Sequence, residues 1–123
     1  MFPIIEETEE FIDDAKKYQW AILNDKYRVK YCANDHSVQL KSFLDAIEVP
    51  RNDVDAFHTC LSLILPYIKD HEDGNKLMEI RDDGLYVHAS FLIYVGIYNS
   101  PKFCAERVED CNQFFSQHFQ NGE

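Results

Sequence analysis

The stretch Leu77–Tyr98, LMEIRDDGLYVHASFLIYVGIY, constrains the fold more than any other part of the chain. Met78 and Ile80 share one parity before Asp82-Asp83-Gly84. After it, Leu85, Val87, Ala89 and Phe91 alternate with Tyr86, His88 and Ser90, the period of a pleated strand. Gly84 accepts the positive φ that a tight connection requires, and an aspartate before it can bond its own backbone, so a hairpin is expected here. The same chemistry accounts for Asp82 and Asp83 as turn residues rather than paired catalytic carboxylates. Ala89–Tyr98 is apolar on both parities, which suits either a strand buried on both sides or a surface awaiting a partner.

That spine sits in a chain of 123 residues, enough for one domain with a real core. Apolar residues make up 46% and aromatics 14%, which argues against disorder. A net charge of −10 repels phosphate backbones and anionic lipids, so neither nucleic acid nor membrane insertion is expected. The opening MFPIIEETEE has no basic or apolar signal regions, and no apolar run is long enough to span a bilayer. Cysteines 32, 60, 104 and 111 form no CxxC pair and read as small buried hydrophobes in a reducing cytoplasm. On one helix, Cys104 and Cys111 would stand roughly 10 Å apart along the axis, beyond disulfide reach.

In chain order, residues 3–17 predict a helix: Ile4, Thr8, Phe11 and Ala15 recur at helical spacing, with Glu6, Glu7, Glu9 and Glu10 at its positive end and Lys16 and Lys17 at the other. Strands follow at Trp20–Leu23, Lys26–Cys32 and Ser37–Leu44, separated by turns at Asn24-Asp25 and Ala33–His36. A helix capped by Asn52 or Asp53 carries Val54, Phe57, Leu61, Ile64 and Ile68, broadened by Cys60 and Leu65 into a stripe that the sheet should nearly engulf. Pro66 should kink or end it near Leu65–Tyr67, and Asp70–Asn75 is an exposed connection. The terminal helix starts at Ser100-Pro101 and frays over Gln120–Glu123. The expected fold class is α+β, in the order helix, three strands, helix, two strands, helix, with a mainly antiparallel five-stranded sheet and helices packed on it.

Catalytic signatures are lacking. His58 and Cys60 lie two apart and do not face each other on a helix. Asp35-His36, Asp70–Asp73 and His88 supply metal donors without any metal-binding spacing, and no glycine-rich phosphate loop occurs, so neither a metal nor another cofactor is expected. Tyrosines and Trp20 are numerous for a core of this size and favour a binding module or homodimer. The basic row Lys26, Arg28, Lys30 and Lys41, beside Tyr27 and Tyr31 and with Trp20 and Tyr86 nearby, is the first candidate for a partner-binding surface. It would hold a protein or peptide client by strand addition or aromatic pockets. Two alternatives stand beside this adaptor reading. One is an acidic immunity or inhibitor protein that uses Glu6–Asp14 to block a cationic site, and the other a small thiol enzyme or hydrolase.

The strand Tyr27–Cys32, the strand Ser37-Val38-Gln39-Leu40, the apolar helix Val54–Ile68 and the hairpin KLMEIRDDGLYVHASF before an amphipathic terminal helix together resemble the YbjN-domain family. The fold of that family is similar to that of small acidic type III secretion chaperones. The resemblance covers nearly the whole chain and rests on patterns rather than invariant motifs. It implies a non-enzymatic, dimer-forming protein that wraps an extended segment of a client, with no catalytic residue to carry over.

Overall fold

Six antiparallel strands form a single sheet in the spatial order β1-β2-β3-β4-β6-β5 among the described residues. The computed structural model describes residues 2–70 and 78–119. The strands are β1 (Ile5–Phe11), β2 (Tyr18–Leu23), β3 (Tyr27–Cys32), β4 (Ser37–Gln39), β5 (Met78–Arg81) and β6 (Gly84–His88). Helices α1 (Leu40–Ala46) and α2 (Asp53–Asp70) lie between β4 and β5. After β6 come a 3-10 turn (Ala89–Phe91) and helices α3 (Leu92–Asn99), α4 (Pro101–Glu106) and α5 (Val108–Phe119). The α+β class is as expected, with one strand more.

Local chemistry produces two of the hairpins. β2 and β3 pair from Tyr18↔Cys32 to Leu23↔Tyr27, and Asn24 and Asp25 turn the chain at φ 50° and 60°, a conformation their short polar side chains tolerate. β5 and β6 close around Asp82-Asp83, with Arg81 opposite Gly84 at φ 122°. A Cβ on Gly84 would lie 2.9 Å from Asp53 Oδ2, the same oxygen that accepts the Leu85 amide at 2.8 Å. β4 leaves the sheet at Gln39, so Asp53 at the start of α2 supplies the acceptor that a longer β4 would have offered.

Four expectations are corrected. Residues 5–11 form the edge strand β1 instead of a helix. The stripe meant to be buried stays in solvent, with Ile4, Thr8, Phe11 and Ala15 all exposed, so a helix there would have had nothing to bury. Pairing with β2 supplies what the local period could not. Second, the strand from Ser37 stops at Gln39. Leu40 and Leu44 fit either period, but Phe43 and Ile47 complete a helical stripe that is buried throughout.

Third, α2 does not end at Pro66 but continues to Asp70, because one missing donor removes a single ladder bond near the end of an 18-residue helix. Ala56, Phe57 and Cys60 are buried whereas Val54 and Leu65 are exposed, so the engulfment is partial. Fourth, Ala89–Tyr98 is neither strand nor open surface. It turns into α3, in which Leu92, Ile93, Tyr94, Val95 and Gly96 are buried, and a helix enclosed on most sides is apolar at every period.

The terminal helix starts as expected: Ser100 Oγ accepts the Phe103 amide at 2.9 Å and Pro101 occupies the first turn. It is interrupted at Arg107, where φ −114° and ψ 40° separate α4 from α5. The connection at residues 71–77, including Leu77 and the donors His71, Glu72 and Asp73, and the tail Gln120–Glu123 lie outside the described residues.

The core fills the space between one sheet face and the helices. Val29, Val38, Leu85 and Val87 point from the strands toward Leu40, Phe43, Leu92 and Val95. Phe43, Phe103 and Tyr27 join them as an aromatic cluster with centroids 5.7 to 6.5 Å apart. Gly96 lets α3 approach this cluster, since a Cβ there would lie 2.4 Å from the Phe103 ring.

Candidate functional site

Strand parity divides the sequence-predicted surface in two. Tyr27 and Tyr31 alternate with Arg28 and Lys30, so they point into the helical side and are 3% and 5% exposed. Tyr27 Oη donates to Glu106 Oε2 at 3.3 Å, and Tyr31 Oη hydrogen-bonds His36 Nδ1 at 2.7 Å. Lys41 is exposed on α1, off the sheet. Only Trp20, Arg28, Lys30 and Tyr86 share the opposite face. The contacts that cover that face come from strands and turns of the sheet itself.

This face is closed by its own side chains. The Arg28 guanidinium stacks 4.4 Å from the Trp20 ring and meets Glu10 at 3.3 Å. Lys30 Nζ pairs with Asp83 and sits 5.1 Å from the Tyr18 ring. Arg81 pairs with Asp35 and Glu79 and lies 4.5 Å over the Tyr86 ring, with Tyr18 5.5 Å from Tyr86 on another side. Tyr86 is thereby buried to 1% exposure without a helix above it. Its hydroxyl donates to Asp83 Oδ2 at 2.8 Å, and Gln39 Nε2 donates to the same oxygen at 3.1 Å. Lys26, in the β2–β3 turn, pairs with Glu106 at 2.5 Å.

The titration behaviour matches this closure. Burial pushes the Asp83 carboxyl up, but the hydrogen bonds from Lys30 and Tyr86 outweigh it and hold the group below the usual aspartate value. Asp35 likewise lies low: burial raises it, and Ser37 and Arg81 lower it further than that. Tyr86 is raised well above an ordinary tyrosine by burial and then by the neighbouring Asp83. Arg28, Lys30 and Arg81 each have a carboxylate partner within the molecule, so the basic residues on this face present little uncompensated charge to a partner.

Tyr18, Gln39, Asp35 and Arg81 also belong to this face, though nothing local in the chain marks them for it. The signal for Arg81 and Asp35 is topological, because β4 pairs with β6 and brings the turn Ala33–His36 to the β5–β6 hairpin. The signal for Tyr86 was its parity against Leu85 and Val87.

A second surface is the edge of the sheet. Among the described residues β1 pairs only with β2, and all its residues from Glu6 to Phe11 are exposed. Asn24 and Ile4 exchange bonds, the Asn24 amide donating to the Ile4 carbonyl at 2.7 Å and the Ile4 amide to Asn24 Oδ1 at 2.7 Å. By antiparallel alternation the Ile5 and Glu7 amides then point away from β2. A bulge between Glu7 and Glu10 is fixed by the Thr8 hydroxyl, which donates to the Trp20 carbonyl at 2.5 Å, and by Gln19 Oε1, which accepts the Glu9 amide at 3.1 Å. Beyond β1, Asp13 accepts the Lys17 and Tyr18 amides at 2.9 and 3.0 Å, and those bonds, Tyr18's first, hold its carboxyl low. The other edge, β5, has four residues, of which Ile80 is 76% exposed while Glu79 and Arg81 serve the closed face.

The thiols of Cys32 and Cys60 are fully buried. Cys60 donates to the Phe57 carbonyl at 3.4 Å, and burial pushes its thiol up to about 11, the reverse of what a nucleophile needs. Among the described residues no group of three or more histidines, cysteines or carboxylates is placed to hold a metal ion. No helix there is long and apolar enough to cross a membrane. The chain matches no protein-family model, no curated protein and no solved structure.

Proposed function

We propose that this chain is a non-enzymatic adaptor, chaperone-like in mode, that holds an extended, positively charged segment of a partner protein along the open edge of β1 in the cytoplasm. The observation that carries this reading is β1 itself. It is a seven-residue strand, paired among the described residues on one side only, exposed from Glu6 to Phe11 and carrying Glu6, Glu7, Glu9 and Glu10. Main-chain groups on such an edge supply affinity by strand addition, and flanking carboxylates select a cationic strand. Phe11 and Ile12, each 41% exposed, add apolar contact at one end. A second copy is a poor occupant, since two β1 edges would set glutamate against glutamate. The likeness to the YbjN-domain and secretion-chaperone proteins supports the same mode, an extended client held on a small acidic domain.

The test uses a seven-residue peptide of alternating lysine and valine. Glu6→Lys/Glu9→Lys leaves the Glu7–Gln19 and Glu10–Arg28 contacts intact. It should weaken binding at least about tenfold, or ~1.4 kcal/mol, and raised salt should weaken the wild-type complex in the same direction. Equal affinity for the variant would remove β1 as the site. The exposed carboxylates also suit a folded cationic surface, the inhibitor reading. Such a partner would be read by side chains alone and would leave the β1 backbone as accessible as before.

A further inference from the structure

Cys104 and Cys111 lie on two helices rather than one. The non-helical Arg107 between them ends α4, and α5 restarts at Val108. Across this break Cys111 Sγ donates to the Cys104 carbonyl at 3.6 Å, and the two thiols also interact side chain to side chain. On one continuous helix a separation of roughly 10 Å along the axis would forbid that. The pair is graded in access: Cys104 is half-buried and Cys111 is 3% exposed. Cys32 and Cys60 are fully buried.

We infer that Cys104 and Cys111 form an intrachain disulfide when the folded protein meets a hydroperoxide, Cys104 attacking and Cys111 resolving. The Cys104 thiolate attacks the terminal peroxide oxygen, an S–O bond forms and the O–O bond breaks, and the departing alkoxide or hydroxide takes up a proton. Cys111 sulfur then attacks the Cys104 sulfenic sulfur. The S–S bond forms, the S–O bond breaks, and the leaving hydroxide receives the Cys111 proton as water. The two thiols lose two electrons and two protons in all, and the hydroperoxide is reduced to one alcohol, or water, and one water. Burial, and then the Cys104 thiol, pushes Cys111 up to about 12. The buried member is therefore protonated at neutral pH, and the first attack falls to the more accessible one. The product ties α4 to α5 across Arg107, beside the anchor Phe103.

The experiment treats the folded chain with equimolar hydrogen peroxide, alkylates it under denaturing conditions and maps the cysteines by mass spectrometry. The expected product links Cys104 to Cys111 with the loss of two hydrogens, reverts with dithiothreitol, and leaves Cys32 and Cys60 alkylated. In Cys111→Ser, and in Cys111→Ala should the first variant fail to fold, Cys104 should stop at the sulfenic acid or join a second copy, and a second equivalent of peroxide should carry it to sulfinic acid. Wild-type protein in which Cys111 is still alkylated after Cys104 has oxidised would overturn the inference, as would equal oxidation of all four cysteines.

Discussion

Each face of the sheet holds buried side chains, by different means. On the helical face, Val29, Val38, Leu85 and Val87 are covered by apolar side chains from α1 and α3, and area removed from water carries the stability. On the opposite face, Tyr86 is just as buried, but its covers are an arginine and a tyrosine, and the neighbouring charges are neutralised in pairs. A row of lysine and arginine on a strand is therefore not by itself a docking surface. Its availability depends on where the carboxylates are, and here Asp83, Glu10 and Glu106 already pair with Lys30, Arg28 and Lys26. Among the described residues, what the sheet leaves unpaired is its edges, of which β1 is the longer.

The largest effect should come from the helical face. Phe103→Ala removes a buried ring that touches Phe2, Tyr27 and Phe43 and should cost about 3–5 kcal/mol in urea unfolding. A loss below about 1 kcal/mol would mean that the aromatic cluster does not organise the core. Next, Tyr86→Phe keeps the ring and removes the donor to Asp83. It should cost about 1 kcal/mol, and an unchanged midpoint would show that stacking alone holds the closed face.

Acid should separate the two faces as well. The carboxyls of Asp83 and Asp35 are lower in the folded state than their ordinary value of 3.8, so their contribution is present above that pH and lost as pH falls through the depressed folded values. Unfolding followed from pH 7 to below 3.8 should show this loss. Asp83→Asn should lose part of the pH dependence while Phe103→Ala retains all of it. The smallest effect belongs to Arg28→Glu, whose side chain is 54% exposed. Stability should change by about 0.5 kcal/mol or less, and affinity for the lysine–valine peptide should not fall. A marked loss of affinity would return the basic face to consideration.

Much of this architecture was legible in the chain. The β5–β6 hairpin follows from Asp82-Asp83-Gly84 and alternating parity, β2–β3 from Asn24-Asp25, and the start of α4 from Ser100-Pro101, because each rests on chemistry within a few residues. β1 was not legible, since its partner strand and the side chains of Gln19 and Asn24 decide its conformation, and Ile4, Thr8, Phe11 and Ala15 happened to carry a helical period. Of the candidate surface, parity alone separated Tyr27 and Tyr31 from Arg28 and Lys30. The neutralisation of Lys30 by Asp83 is a contact between residues distant in sequence, visible only once β4 is known to join the two hairpins.

Amide hydrogen exchange on β1, with and without the lysine–valine peptide, tests strand addition most directly. Bound peptide should slow exchange at Ile5 and Glu7, whose N–H groups face away from β2, and leave Trp20, Arg28 and Lys30 unchanged. Unaltered exchange at Ile5 and Glu7 in a saturated complex, or protection confined to the strands of the closed face, would contradict recognition at this edge.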